Sequence, residues 1–342
     1  MTNEANNFSN PLRAEVLTQA LPYIRKYRGK RIVVKYGGNA MIDEKLKQQV
    51  MEDIVLLWLI GVEVVLIHGG GPDIDEMMKK LGKAPTFIDG LRVTDAQTVE
   101  IVQMVLAGKV NKSLVNLLQT CGGNAVGISG IDGKLIEAQM RDEKLGYVGK
   151  IEKINPRIIT DTLAGGYIPV IATVGGDGKS NTYNVNGDTA AAEIAGALGA
   201  ERLIMMTNVP GIMTNIADPD SLIASVSIEE ATQLVDSGVI SGGMIPKLQC
   251  CINAIAKGVE NVVIMDGRIP HAILMELLTD EGAGTMITRG AAAENRFAAE
   301  SSLVSEEGLA TKNGLDGKSG FAAETEVETE SGIGAAKEQD NE

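Results

Sequence analysis

VEVVLIHGGGPDIDEM, residues 62–77, joins three kinds of local pattern in one short stretch. The apolar run at 62–67 predicts a strand that ends before His68, and a short helix is expected to begin near Asp73. Three glycines and a proline separate the two, although glycine loses more backbone freedom on folding than any other residue. The stretch therefore predicts a strand–turn–helix unit of an α/β protein, with some group so close to the turn that side chains are excluded.

The same alternation of strand and helix continues on both sides of this unit. We predict strands at 32–35, 62–67, 124–129, 167–174, 201–207, 261–265 and 285–288, with a hairpin region at 134–140 and 147–154. Helices are predicted at 11–27, 44–59, from about 73, 95 to about 119, 155–164, 188–198, 228–236, 243–257 and 270–278. Strands that are continuous apolar runs are typical of a mainly parallel sheet covered by helices on both faces. Such sheets bind ligands beyond the carboxyl ends of their strands.

Composition and charge indicate which kinds of binding partner are improbable for this chain. The 342-residue chain has a formal net charge of −14, and residues 290–342 contribute 12 acidic and 4 basic residues to it. A mildly acidic body with 3% aromatic residues argues against nucleic acid or an anionic membrane as the main partner. Residues 290–342 are rich in Glu, Ala, Ser and Gly without clean periodicity, so we expect an acidic, disordered tail.

Targeting and cysteine patterns indicate a cytoplasmic protein. No apolar run reaches the ~20 residues that a membrane helix needs, and the first ten residues have no signal-peptide pattern. Cys121, Cys250 and Cys251 lack the spacing of metal ligands, so we expect buried, reduced thiols.

A helix precedes the first strand of the body. Its apolar residues recur at helical spacing: Leu12, Val16, Leu17, Ala20, Leu21 and Ile24. Two interpretations of Pro11–Tyr27 stay open at this point. The helix packs on its own domain, or it is an arm that forms oligomers.

Four polar or glycine-rich loops lie at predicted strand or helix boundaries. They are KYGGN (35–39), HGGGP (68–72), NVNGDT (184–189) and SGGMIPK (241–247). None fits the P-loop pattern, and HGGGP lacks the spacing of a dinucleotide fingerprint. Each loop alone is typical of an ordinary tight turn. Four of them in one α/β chain favour anion binding, because glycines before a helix expose N–H groups to an anion.

Isolated cations accompany these loops. Lys35 ends a strand, Arg92 lies between a turn and a helix, and Lys247 lies in the first turn of a predicted helix. A lysine near a helix N-terminus is locally unfavourable unless an anion offsets its charge. Asp188 is the one carboxylate that we single out, although an N-cap role would also explain it. Together these residues favour phosphate chemistry.

The small number of histidines disfavours a hydrolase with a catalytic triad. His68 and His271 are the only histidines, so a Ser-His-Asp or Cys-His system has few residues to draw on. His68 lies at a strand end, where a structural histidine with satisfied hydrogen bonds is the more common finding.

Taken together and in order, six motifs resemble the amino acid kinase family. They are KYGG (35–38), HGGGP (68–72), DGLRVTD (89–95), NVNGDTAA (184–191), TNVPGI (207–212) and GGMIPK (242–247). The resemblance spans about residues 12–289 and is closest to the branch that phosphorylates the γ-carboxylate of N-acetyl-L-glutamate with ATP and Mg²⁺. It implies an α/β three-layer sandwich with one continuous sheet. It also implies an acetylglutamate-binding lobe at 29–180 and an ATP-binding lobe at 181–289.

The resemblance also implies a role for individual residues. Lys35 and Lys247 would stabilise the transferring phosphoryl group, and Asp188 would orient them. Acetylglutamate would contact Gly70, Gly71, Arg92 and Asn184, and the nucleotide would contact Gly37, Gly38 and the segment from Asn208 to Gly211. Two residues depart from the family pattern: Gly187 stands where alanine is usual, and Asn208 stands where aspartate is common.

Regulation is a further expectation from the resemblance. Members inhibited by arginine have an extra N-terminal helix like Pro11–Tyr27 and assemble as hexamers through it. They also share a segment that resembles HAILMELLTDEGAGTMI (271–287), in which Glu276 or Glu281 would hold the arginine guanidinium. We therefore assign residues 1–28 to a tail and oligomerisation helix. Some members also bind a PII-type signalling protein, a partner that the sequence leaves open.

Three other functions stay open at this point. One is another kinase of the family, such as glutamate 5-kinase. The second is a dinucleotide-dependent oxidoreductase, which the missing GxGxxG pattern disfavours. The third is a catalytically silent sensor, which the presence of Lys35, Asp188 and Lys247 disfavours.

Overall fold

The computed structural model of the chain describes residues 9–41, 43–215 and 218–290. These residues all fall within one compact unit, Met1–Ala293. The disorder expected for 290–342 concerns residues that, after Gly290, lie outside the described part. No helix in the described ranges is long and apolar enough to cross a lipid bilayer.

Helices and strands alternate along the chain as the sequence predicts. The strands are β1 (Arg31–Tyr36), β2 (Glu63–His68), β3 (Phe87–Ile88), β4 (Leu91–Arg92), β5 (Ala125–Ser129), β6 (Ile136–Met140), β7 (Val148–Ile154), β8 (Ile168–Ala172), β9 (Val174–Gly176), β10 (Thr182–Val185), β11 (Arg202–Thr207), β12 (Ser225–Ser227), β13 (Asn261–Asp266) and β14 (Gly284–Thr288). The helices are α1 (Asn10–Gln19), α2 (Leu21–Tyr27), α3 (Glu44–Leu59), α4 (Gly71–Lys80), α5 (Ala96–Gln103), α6 (Asn111–Thr120), α7 (Arg157–Ala164), α8 (Gly187–Leu198), α9 (Ile228–Asp236), α10 (Met244–Ala256) and α11 (Ala272–Leu278).

The main sheet is continuous and mainly parallel. In the part of the chain that the structure describes, it has eight strands in the order β12-β14-β13-β11-β1-β2-β8-β5. Neighbouring strands run parallel, apart from the antiparallel pair β13–β14. Strands β6, β7, β9 and β10 form a second, smaller sheet, in which the expected hairpin of β6 and β7 is antiparallel. The predicted α/β fold with a mainly parallel sheet is confirmed.

Two hydrophobic cores lie on the two faces of the main sheet. Ile32 and Val34 of β1 belong to the core that includes Ile54 of α3, whereas Val33 belongs to the core that includes Ile194 of α8. Successive strand residues point to opposite faces, so a strand covered on both faces is apolar at every position. This is why β1 and β2 are continuous apolar runs, and it gives the three layers of the sandwich.

The N-terminal helical stretch differs from its prediction. It forms two helices, because Pro22 occupies the first turn of α2, where its missing N–H costs nothing, and the chain breaks at Ala20. None of the ten residues of α1, all within the described ranges, is buried. Leu12, Val16 and Leu17 are exposed by 40%, 57% and 71%. The apolar stripe of α1 therefore does not pack on the part of the domain that the structure describes.

The long helix predicted from residue 95 contains a segment of another kind. Between α5 and α6, residues Met104–Val110 form a π-helix. π-helical turns are rare and are frequent at functional sites. This segment packs against the glycine loop, as described below.

The cysteines only partly match their expected burial. All three are free thiols; Cys251 is buried, whereas Cys121 and Cys250 are half-buried. Burial raises the pKa of each thiol.

Candidate active site

Strand β1 lies at the centre of the site. Lys35, near its carboxyl end, is in register with Ile67 of β2 on one side and Met205 of β11 on the other. Since these strands are parallel, the loops that follow them meet at one edge of the sheet. The glycine loop after β2 and the segment after Thr207 therefore flank Lys35.

Three charged side chains meet beside this edge. The Lys35 ammonium lies 2.9 Å from Asp188 Oδ1, and Lys247 donates a 2.5 Å hydrogen bond to Asp188 Oδ2. The side chains of Lys35 and Asp188 are 11% and 14% exposed, so water screens this pair poorly. The structure thus brings together the two lysines and the carboxylate that the sequence singles out.

Helix starts explain where two of these residues lie. Asn186, not Asp188, is the N-cap of α8, and its side chain accepts a 3.0 Å hydrogen bond from the Thr189 amide. Asp188 lies in the first turn of α8, where the helix dipole favours a negative charge. Lys247 lies in the first turn of α10, where its own helix disfavours it. The pair with Asp188 offsets that cost.

Asp188 is ionised at neutral pH. Burial raises the pKa of Asp188, but the charges of Lys35 and Lys247 outweigh burial and lower the pKa to about 2. The three groups together carry one positive charge.

Packing explains the glycine at position 70. Gly70 is the N-cap of α4, and a Cβ added there would lie 2.6 Å from Leu106 Cδ2 and 3.3 Å from Val110 Cγ2. The groups that exclude a side chain at Gly70 are thus side chains of the π-helix. A Cβ on Gly71 would approach only Arg92 Nη2, at 4.0 Å.

Arg92 and Asn184 lie near the glycine loop. The buried Arg92 pairs with Asp75 Oδ1 at 2.5 Å and donates a 3.4 Å hydrogen bond to the Gly71 carbonyl. The Asn184 amide donates to Thr94 Oγ1 at 3.2 Å, and that hydroxyl donates to the Arg92 carbonyl at 2.8 Å. The structure therefore links the predicted substrate residues through short polar contacts.

A cavity of about 730 Å³ opens on the other side of β1. Its lining includes Lys35, Gly38, Asn208, Gly211 and Lys247 among the predicted residues, and Met206, Thr207, Val209, Pro210, Ile212, Met213, Val239, Ile240, Ser241, Gly243, Met244 and Arg268 in addition. The predicted nucleotide loops therefore line one cavity, with both catalytic lysine candidates at its wall. Gly37 lies beside it, because a Cβ there would be 2.6 Å from Lys35 Nζ.

Close contacts also explain two glycines of this cavity. Gly38 has φ +72°, and a Cβ on it would overlap Asn208 Oδ1. A Cβ on Gly211 would overlap Thr285 Oγ1. At Gly187, by contrast, a Cβ would lie 3.5 Å from Lys35 Cε, which is an ordinary contact. The alanine usual in the family would therefore fit here.

Sequence reasoning missed Arg268 at this cavity. It follows β13 and donates from Nε and Nη2 to the Asp266 carboxylate, at 2.9 and 2.7 Å. The only sequence signal is the triplet DGR at the end of an apolar strand. Within the described residues, no three His, Cys, Asp or Glu side chains are placed to hold a metal ion.

The two predicted arginine-site carboxylates lie elsewhere. Glu276 is buried and pairs with Arg202 Nη1 at 3.0 Å, at the amino end of β11 and hence at the opposite edge of the sheet from Lys35. It also accepts a 2.9 Å hydrogen bond from the Ala283 amide. Burial raises the pKa of Glu276. Glu281 is exposed.

Sequence comparison identifies the class of protein that has this fold and this charged cluster. The model of the amino acid kinase family matches residues 30–266, and the chain belongs to this family.

Within the family, the chain is similar to acetylglutamate kinases. It is 52% identical to that of Clostridium beijerinckii over 278 residues, 80% of this chain and 98% of the relative. It is 54% identical to that of Caldanaerobacter subterraneus subsp. tengcongensis over 280 residues, 81% and 93% of the two chains. These matches favour an acetylglutamate kinase over glutamate 5-kinase.

Solved structures with a similar fold include an N-acetylglutamate synthase. N-acetylglutamate synthase from Neisseria gonorrhoeae, complexed with coenzyme A and N-acetyl-glutamate, matches with a TM-score of 0.71 at 28% identity. The match covers 81% of this chain and 64% of the synthase, so the chain spans about two thirds of that protein. The complex of the same synthase with coenzyme A and L-arginine matches with a TM-score of 0.68 at 25% identity, over 81% of this chain and 66% of that one.

Proposed function

We propose that the chain transfers the γ-phosphoryl group of ATP to the γ-carboxylate of N-acetyl-L-glutamate, a step of arginine biosynthesis. The observation that carries this proposal is the Lys35–Asp188–Lys247 cluster, which lies between a glycine loop and a large cavity. In the reaction a carboxylate oxygen bonds to the γ-phosphorus as the bond to the bridging oxygen of ADP breaks. The products are an acyl phosphate and ADP.

For this reaction the protein has to position the two reactants and to supply positive charge. The acceptor carboxylate is ionised at neutral pH, so the reaction needs no general base. Catalysis of phosphoryl transfer is almost entirely positioning plus stabilisation of charge on the phosphoryl oxygens. Lys35 and Lys247 supply that charge, and Asp188 fixes both ammonium groups from the inner side. Mg²⁺, when bound to ATP, adds positive charge on the phosphates.

Residues 29–180 form the acetylglutamate-binding lobe in this proposal. The amides of Gly70 and Gly71 face the substrate, and Asn184, just beyond the boundary, holds it. Arg92 pairs with the α-carboxylate in this proposal, and its burial supports this role; the substrate would share the guanidinium with Asp75. A guanidinium in a buried site binds a carboxylate with fixed geometry.

Residues 181–289 form the ATP-binding lobe. Most residues that line the 730 Å³ cavity come from this part of the chain, and Lys35 and Gly38 come from the other. Gly37, Gly38 and the segment from Asn208 to Gly211 would contact the nucleotide. Asn208 is neutral where the family commonly has aspartate, so its contact would be a hydrogen bond.

A coupled assay of ADP formation tests the proposed activity. N-acetyl-L-glutamate, L-glutamate and L-aspartate are compared as acceptors with ATP and Mg²⁺ under one set of conditions. We expect turnover with acetylglutamate to exceed that with either free amino acid by at least about 10²-fold. Preference for L-glutamate would replace the proposal by a glutamate 5-kinase.

We also propose that arginine inhibits a hexameric form of the protein. Tyr23 of α2 donates a hydrogen bond to Asp280, so α2 contacts the segment 271–287. Glu276 of the same segment pairs with Arg202 in a buried carboxylate–guanidinium contact. Free arginine would bind Glu276 or Glu281 in this region. Inhibition of turnover by millimolar arginine, absent in Glu276→Gln, is the expected result.

A further inference from the structure

His68 joins the glycine loop to the neighbouring helix. The side chain is fully buried at the end of β2, where His68 is in register with Tyr36 and Ala172. Ring atom Nδ1 lies 2.8 Å from the Gly69 carbonyl oxygen, and Nε2 lies 3.1 Å from Asn111 Nδ2. The phosphoryl-transfer chemistry above has no use for this residue.

The partners of Asn111 fix the orientation of its amide. Lys112 Nζ, which can only donate, lies 3.1 Å from Asn111 Oδ1. Asn111 Nδ2 also lies 2.9 Å from the Val170 carbonyl oxygen and 3.3 Å from the Ile128 carbonyl oxygen, and both of these oxygens can only accept. The amide nitrogen, and not the oxygen, therefore faces His68. Gly127 makes room for this amide, because a Cβ there would overlap Asn111 Oδ1.

The orientation of Asn111 assigns the tautomer of His68. Since Asn111 Nδ2 donates, Nε2 of the ring must accept and carries no proton. Nδ1 then carries the proton and donates to the Gly69 carbonyl. Burial lowers the pKa of His68 to about 4, in keeping with a neutral ring at physiological pH.

The same helical stretch also contacts the next residue of the loop. Leu106 and Val110 of the π-helix pack where a Gly70 side chain would stand, and Asn111 follows directly. One continuous segment thus holds Gly70 by packing and Gly69 through the His68 hydrogen bond.

We propose that His68 is a positioning residue for substrate binding, which holds the Gly69 carbonyl so that the amides of Gly70 and Gly71 face the acceptor substrate. This inference rests on the proposed function, since it assigns the loop to acetylglutamate. The peptide between Gly69 and Gly70 has no side chain to hold it on either side. A hydrogen bond to its carbonyl restricts its rotation, and a preorganised amide binds an anion at lower cost.

Two substitutions separate the two hydrogen bonds of His68. In His68→Asn the amide nitrogen reaches about the position of Nδ1 and can donate to Gly69. In His68→Gln the amide reaches about the position of Nε2 and keeps only the contact with Asn111. We expect His68→Gln to raise the KM for acetylglutamate at least about tenfold, or 1.4 kcal/mol, with the KM for ATP within about twofold. His68→Asn should recover most of this loss.

Leu118→Ala is the matched control for stability. Leu118 is fully buried on the same helix, two turns beyond Asn111. It should lower the Tm at least as much as His68→Gln and leave both KM values unchanged. Equal rises of both KM values in His68→Gln, or a rise in Leu118→Ala that follows the Tm, would overturn the proposal.

Nitrogen-15 NMR of protein labelled at histidine tests the tautomer without any activity. Because His68 and His271 are the only histidines, His271→Gln leaves one signal pair. We expect a protonated Nδ1 and a bare Nε2 that stay unchanged from pH 5.5 to 8.5. The opposite tautomer, or titration near pH 6.5, would overturn the inference. If the wild-type protein shows the expected tautomer but does not phosphorylate acetylglutamate, the proposed function is refuted. The role of His68 in binding acetylglutamate is then refuted as well.

Discussion

The Asp188 carboxylate pairs with both Lys35 and Lys247, so the three charged side chains form a single cluster. The local sequence predicts each position alone: Lys35 at a strand end, Asp188 and Lys247 at helix starts. The pairing itself could not be predicted from local pattern, because Lys247 and Asp188 are 59 residues apart and meet only once α8 and α10 pack together. The family resemblance predicts the same residues, but it does so by matching motifs and gives no physical reason why the three side chains meet.

Removing either lysine should slow the chemical step. Losing one charge-stabilising contact typically costs ~3–4 kcal/mol, or 10² to 10³ in rate. We expect Lys35→Ala and Lys247→Ala to keep the fold and to lower kcat by that factor in the coupled assay. Lys257→Ala is the control: Lys257 also pairs with a carboxylate, Glu193, but its side chain is 48% exposed and lies at the far end of α10. Near-normal turnover in either active-site variant would remove that lysine from the mechanism.

The pKa of Asp188 predicts how stability depends on pH. The folded pKa of about 2 lies below the ordinary 3.8, so the native state binds this proton more weakly than the unfolded chain. The contribution, about 2 kcal/mol, is fully present above pH 3.8 and is lost as the pH falls towards 2. In urea unfolding, the difference in free energy between wild type and Asp188→Asn should therefore shrink between pH 5 and pH 3. Asp161→Asn, at an exposed surface pair, controls for the loss of one negative charge. A difference for Asp188→Asn that stays constant over this range would contradict the assignment.

Among the elements, those with strong local patterns were predictable and those defined by pairing were not. The apolar runs of β1, β2, β11 and β13 and the periodic helices α3 and α9 match their predictions closely. Strands β3, β4, β9, β10 and β12 have two to four residues each, which is too short for an alternating pattern to be recognised in the sequence. The π-helix could not be predicted from the sequence either, because its apolar residues fit the period of an α-helix.

The contact between the π-helix and Gly70 can be tested by a rescue. A Cβ at position 70 would lie 2.6 Å from Leu106 Cδ2, so Gly70→Ala must displace the loop or Leu106. We expect Gly70→Ala to raise the KM for acetylglutamate about tenfold, with a smaller change for ATP. Gly70→Ala combined with Leu106→Ala should recover part of the loss, because the second change removes the clashing methyl group. Leu106→Ala alone measures the cost of the cavity, ~2–5 kcal/mol in stability. No recovery in the double variant would mean that the substrate, not Leu106, excludes the side chain.

At the scale of the whole molecule, the N-terminal helices have an apolar surface that the described residues, 9–41, 43–215 and 218–290, do not cover. Leu12, Val16, Leu17 and Leu21 are all exposed; the first three form a stripe at helical spacing on α1, and Leu21 is the first residue of α2. Exposed apolar patches on a folded protein mark interaction sites. The opposite end of this region is anchored, since Tyr27 is buried and Tyr23 bonds to Asp280. A helix that is fixed at one end and uncovered along its stripe suits association with a second copy.

A charge on this stripe should therefore change the assembly and leave the fold intact. In Leu17→Glu a carboxylate would be buried without a partner if α1 packs against α1 of another subunit, which is strongly unfavourable. We expect wild type to elute as a hexamer in size-exclusion chromatography with light scattering, and Leu17→Glu as a smaller species with unchanged kcat. Leu59→Glu is the matched control, because Leu59 of α3 is similarly exposed, 65% against 71%, but lies outside the stripe. If arginine acts through the contact between α2 and the segment 271–287, Leu17→Glu should also weaken inhibition, while Leu59→Glu should not. A hexamer that survives Leu17→Glu would show that the N-terminal helix is not the assembly contact.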